Sequence, residues 1–162
     1  MNQKAGSNTA LFLMELIVVI GFFSLVSVIC VRLFAAARVT GDASVNINQA
    51  IRAEESLAEV WTAKEADLAE TAACFPGARL ETGDSPADGV LTLYYDADWQ
   101  SISDEGGAAF RVTLTGTATD AADLYGEGAQ GAAAAAGIEA VDLTNGSRIH
   151  MLETDHYIGG AG

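Results

Sequence analysis

The sequence predicts an α+β protein: a long N-terminal helix, first transmembrane and then amphipathic, packed on a roughly four-stranded antiparallel sheet. Three observations predict it. Residues 10–31 are an apolar run with a single charge. Apolar residues then recur at three- and four-residue spacings as far as Ala72. Beyond Gly89 the period changes to two, with glycine-rich turns between the alternating segments. The expected divisions are a leader over 1–10, a transmembrane helix over 11–38, its amphipathic extension over 39–76 and an antiparallel β domain over 77–162.

The apolar run comes first. Leu11 to Phe34 is 24 residues, about 36 Å of helix at 1.5 Å per residue. About 20 apolar residues cross a bilayer, so the run is long enough to span one. A signal peptide is the competing reading, because Ala35-Ala36-Ala37 offers an A-x-A cleavage site. The run exceeds the usual apolar core of such peptides, and Arg32 lies between it and that site. Lys4 on one side and Arg32 and Arg38 on the other give the positive-inside rule no clear vote. The short leader and the acidic remainder favour the N-terminus in and the domain out.

Glu15 is the one carboxylate in the run. A charge in a membrane segment is costly and by default marks function. The segment Leu11-Phe12-Leu13-Met14-Glu15-Leu16-Ile17-Val18-Val19-Ile20 resembles the N-terminus of type IV pilins and type II secretion pseudopilins. In that family a short polar leader precedes an apolar helix, and a glutamate occupies the fifth mature position. The resemblance implies cleavage after Ala10, a mature start at Leu11 and an assembly role for Glu15. The family usually has glycine before the cut and phenylalanine after it; here Ala10 and Leu11 stand there. The resemblance covers about the first third of the chain. It implies three partners: membrane lipid, a prepilin peptidase and other pilin-like subunits, met through the N-terminal helix. A free amine at Leu11 would be a cation that Glu15 of a neighbouring subunit neutralises as helices stack.

Thr40-Gly41-Asp42 reads as a local break or kink. After it Ile47, Ala50, Ile51, Leu57, Ala58, Trp61, Leu68 and Ala72 form one stripe, and Arg52, Glu54, Glu55, Glu59, Glu65 and Asp67 fill the other side. The stripe is expected to face the protein's own sheet, with a coiled-coil partner as the other reading. Phe75-Pro76-Gly77 is the expected helix end. Residues 79–89 read as a loop, as do 120–131. Strands are expected near 90–95, 108–119, 138–143 and 148–157. Asn145-Gly146 suggests a type I′ hairpin. Ala132 to Ala136 reads as a loose lead-in to the third strand. Helix on meander is also the architecture the resemblance implies.

Charge and composition narrow the function. The chain carries 22 acidic and 8 basic residues, a net −14. That excludes a nucleic-acid binder working by bulk electrostatics. Beyond Thr40 the imbalance is 21 acids against five bases, and such a surface repels its own copies at low salt. It suits a minor subunit, or one with basic neighbours. Asp96, Asp98, Asp104 and Glu105 could crowd round a calcium ion, but the EF-hand pattern is absent. His150 and His156 share strand parity without a third ligand type at metal-binding spacing. Two cysteines, Cys30 and Cys74, make no disulfide framework. No nucleophile–base motif or phosphate loop appears, so no enzyme, cofactor or metal is expected.

The leading expectation is a minor pseudopilin-like subunit, single-pass in the cell membrane, with an extracytoplasmic C-terminal domain. A bitopic protein with an acidic binding or sensing domain is the alternative, and a secreted protein released after Ala37 is a third.

Overall fold

The computed structural model describes residues 3–159, with side chains described over 10–159; Met1 and Asn2 of the expected leader lie outside the described residues. The chain divides into two units, Met1–Ser44 and Val45–Gly162. Helix α1, Gln3–Ala63, begins in the first and ends in the second.

In the first unit the side chains from Ala10 to Ser44 are exposed, apart from a half-buried Ser27. Phe23 is 71% and Phe34 78% exposed. This is one helix long and apolar enough to cross a membrane, near the N-terminus. The expected break at Thr40-Gly41-Asp42 is absent: the segment is helical. Thr40 Oγ1 donates to the Ala36 carbonyl and Ser44 Oγ to the Thr40 carbonyl, both at 3.1 Å. Those hydroxyls satisfy themselves on the helix rather than competing with it, and an isolated glycine costs a helix only about 1 kcal/mol.

In the second unit α1 ends at Ala63 and not at Phe75. Ala66 N donates to the Trp61 carbonyl at 3.0 Å and Glu65 N to the Thr62 carbonyl at 3.1 Å. These are the paired closing bonds of a Schellman motif. It places Glu65 at φ 54° and Ala66 at φ 63°, left-handed positions that glycine usually fills. Asp67 then caps a short second helix, α2 (Leu68–Ala73), accepting from Ala69 N at 2.8 Å and Glu70 N at 2.9 Å.

The sheet is antiparallel throughout. Its strands are β1 (Arg79–Thr82), β2 (Gly89–Tyr95), β3 (Ser101–Ile102), β4 (Phe110–Asp120), β5 (Ala132–Asp142) and β6 (Ser147–Gly159). Their order is β1-β2-β4-β5-β6, with β3 paired to β2 off this path. The expected meander of about four strands is therefore its central part. Of the two further strands, β1 lies in a stretch expected to be loop and β3 between two expected strands, and the 120–131 connection holds a short helix, α3 (Ala121–Tyr125). The alanine run is strand from Ala132 onward, not a lead-in. Gly146 alone of the Asn145-Gly146 pair has positive φ, 71°, so the β5–β6 turn is not type I′. Gly146 N instead donates to the Asp142 carbonyl at 2.8 Å.

The apolar stripe meets the protein's own sheet. Ala50, Leu57 and Trp61 of α1 and Leu68 of α2 share one buried cluster with Leu91, Leu93, Val112, Leu114, Ala134, Ala136, Ile138 and Ala140. Trp99 closes one end: it stacks on Phe110 with centroids 4.3 Å apart, and its Nε1 donates to Asn46 Oδ1 at 3.2 Å.

Candidate functional site

The expected processing and assembly residues all lie on α1. Ala10, Leu11 and Glu15 are exposed. Leu11 and Glu15 are four residues apart and so share a face of the helix. No ion pair among the described residues involves Glu15. The arrangement leaves its carboxylate available to a partner outside the chain.

A second polar arrangement lies inside the globular unit. Glu54 of α1 is fully buried, with 0% of its surface exposed. It does not belong to the charged side of the helix, as its residue type suggests. It lies between Ala50 and Leu57 in the buried stripe, at helical spacing. Its Oε2 is hydrogen-bonded to Nδ1 of His150 on β6. Its Oε1 has no hydrogen-bond partner among the described residues. Burial pushes the Glu54 carboxyl above its usual range, and the His150 hydrogen bond opposes that.

The local strand geometry presents the imidazole. Ala140 pairs with His150, but Val141 pairs with Arg148, so Ile149 is an extra, bulged residue. A bulge re-aims the neighbouring side chains. His150 and His156 both face the helix, as their shared parity implies. His156 lies edge-on to Trp61, with ring centroids 6.3 Å apart. A carboxylate bound to an imidazole can orient a general base, but no nucleophile stands beside this pair in the hydrogen bonds around it. A cleft of about 590 Å³ lies elsewhere, lined by Lys64, Asp67, Glu70, Ala87 and Ile158 among others. The Glu54–His150 hydrogen bond is a polar pin between helix and sheet.

The loop acids are not brought together round a common point. Asp96 Oδ1 accepts from Asp98 N and Gln100 N, both at 2.9 Å. Asp104 accepts from Gly106 N at 3.2 Å, and Glu105 pairs with Arg79 at 3.2 Å. Asp96 and Asp104 thus organise their own turns, and Glu105 ties its turn to β1. Among the described residues no group of three or more His, Cys, Asp or Glu is placed to hold a metal ion. Cys30 and Cys74 are free and exposed.

No protein-family model matches the chain, and neither a curated protein nor a solved structure matches it.

Proposed function

We propose that the chain is a pilin-like, membrane-inserted structural subunit, of the minor pseudopilin kind, that assembles through its N-terminal helix. The observation that carries this reading is an exposed apolar helical surface whose only charge between Ala10 and Val31 is Glu15. Bilayer lipid and neighbouring helices would cover that surface. Glu15 would pair with the α-amine of a neighbour that starts at Leu11. Two poorly solvated charges then neutralise each other, and a subunit out of register leaves one unpaired. The pairing would set the axial stagger between subunits.

Glu15→Gln tests it. The substitution keeps size and removes the charge. Insertion, scored by protease protection, should survive, because a charge in a membrane helix costs up to roughly 2.5–3.5 kcal/mol and less near the helix end. Crosslinking between subunits should fall. Equal crosslinking in wild type and variant, with the wild type crosslinking, removes the pairing role. Processing is scored separately: with a prepilin peptidase the chain should start at Leu11, and Ala10→Gly should speed the cut.

The bitopic reading is favoured by the acidity of the C-terminal region, net −16 beyond Thr40. Under it Glu15→Gln leaves function intact.

A further inference from the structure

One surface of the globular unit is built in a way that neither the core nor the membrane reading uses. Tyr125 ends α3 and Tyr157 lies on β6. Their ring centroids are 6.2 Å apart and their planes meet at 74°. Both residues are nearly half exposed, at 47% and 49%. Burial is therefore not what holds the rings there. Hydrogen bonds hold them instead. The Tyr125 hydroxyl donates to the Asp155 carboxylate, and the Tyr157 hydroxyl donates to the Gln130 carbonyl at 2.7 Å. The Asp155 bond raises the Tyr125 phenol above its usual range.

The two rings, with Gly128, Ala129 and Gln130, line an open cleft of about 560 Å³. A neighbouring cleft of about 460 Å³ is lined by Leu124, Glu153 and Asp155 among others. Neither lining contains a lysine or arginine. Glu153, Asp155 and Tyr157 alternate along β6, so their side chains share one face of the sheet. No ion pair among the described residues involves Glu153 or Asp155.

Ring faces carry negative potential, and a cation within about 6 Å of a tyrosine centroid is attracted. Two fixed faces at a steep angle beside a carboxylate make a corner complementary to one cationic group. The Tyr125 bond uses Asp155 Oδ2, and among the described residues Oδ1 makes no hydrogen bond of its own. A guanidinium fits better than an ammonium, since it stacks on a ring and forks its N–H donors toward a carboxylate at once. The source follows from charge: the region is net −16 and selects against acidic neighbours. We propose that the corner formed by Tyr125, Tyr157 and Asp155 docks an arginine side chain of a basic partner protein. The site does not depend on membrane assembly, and its test reads binding alone.

The test uses the full chain in neutral detergent micelles. The probe is a glycine-spaced peptide carrying two arginines, against its citrulline twin, which keeps the shape and lacks the charge. Saturating the tyrosine ring protons should transfer to the arginine δ-methylene protons. The citrulline peptide should bind about fivefold more weakly or worse. Tyr157→Leu and Tyr125→Leu should each weaken arginine-peptide binding by a similar factor. Glu59→Gln, an exposed charge on α1, should leave binding unchanged. Equal binding of the two peptides overturns the proposal, as does a Glu59→Gln loss matching that of Tyr157→Leu, which would mean diffuse attraction. Absence of transfer in the wild-type chain overturns it however the variants fold.

Discussion

Glu54 and His150 are 96 residues apart in sequence and hydrogen-bonded in the fold. One comes from the buried stripe of α1, the other from beside the bulge in β6. The carboxylate is fully enclosed, while 38% of the His150 side chain remains exposed. The pair joins helix to edge strand where the apolar cluster alone offers no directional contact. The other Glu54 oxygen has no side-chain partner among the described residues. Such a group favours a single docking register at some cost in stability.

His150→Ala should therefore destabilise the globular unit by about 1–3 kcal/mol near neutral pH, because it leaves a buried carboxylate without its donor. Glu54→Gln should change the pH dependence instead. The folded carboxyl is raised above its ordinary value of 4.5. Between 4.5 and the raised value the native state binds more protons than the unfolded chain, so stability falls as pH rises through that window. The glutamine variant lacks that loss. Urea midpoints for both proteins, compared at about pH 4.5 and about pH 7, should show the variant gaining on the wild type as pH rises. A constant difference would mean that Glu54 does not titrate in this window.

Gly116 of β4 pairs with Gly89 of β2, and Leu68 Cδ1 lies over both. A Cβ on Gly116 would stand 2.3 Å from the Ala87 carbonyl oxygen, which is backbone and cannot swing away. Gly116→Ala should cost about 1–3 kcal/mol, in the range of other overpacking changes. A thermal unfolding curve coincident with that of the wild type would show that the 83–88 loop yields at little cost.

The turn after α1 gives predictions of opposite sign. Glu65 occupies, at φ 54°, the helix-end position that glycine favours. Glu65→Gly should relieve left-handed strain of about 1 kcal/mol, less the entropy glycine adds to the unfolded chain. Asp67→Ala removes both capping bonds of α2 and should cost about 1 kcal/mol. Urea midpoints should move up for the first and down for the second; a shared direction would mean that the turn is not held as described.

Much of this fold is legible because period and burial agree. Ala50, Leu57, Trp61 and Leu68 lie on the expected stripe and are buried. β2, β4 and β6 follow the alternation. The helix end was hidden because its Schellman turn carries Glu65 and Ala66 in place of glycine, whereas Pro76 and Gly77 gave a louder stop signal further on. The start of β5 is hidden because alanine favours helix in isolation; pairing with β4 and β6 and burial of Ala134 and Ala136 in the core override that.

The polar pin was half legible. Residues 50, 54, 57 and 61 repeat at helical spacing, so a glutamate inside an otherwise apolar stripe was a visible anomaly. Its residue type places it with the charged face instead. Its partner was beyond reach of sequence, because the pairing depends on the bulge at Ile149 and on which face of the sheet α1 covers. The tyrosine corner was equally hidden: Tyr125 lies in a stretch that reads as loop, and its bond to Asp155 exists only once α3 folds beside β6.

A fragment from Asp42 to Gly162 should fold without the apolar run. Every buried apolar residue of the described structure lies at Ala50 or beyond, so removing the first 41 residues deletes no core side chain. The large apolar residues left exposed are few: Val45 and Ile47 near the new start, the Tyr125–Tyr157 pair, and Leu124, Met151 and Ile158. The fragment keeps 21 acids against five bases, and self-repulsion at low salt opposes association. It should therefore elute as a monomer and unfold cooperatively on heating. Trp61 Nε1 and Glu54 should stay enclosed, which slow hydrogen exchange at the Trp61 indole would report. Recovery only as aggregates would mean that the stripe around Leu57 and Trp61 needs cover from outside the fragment.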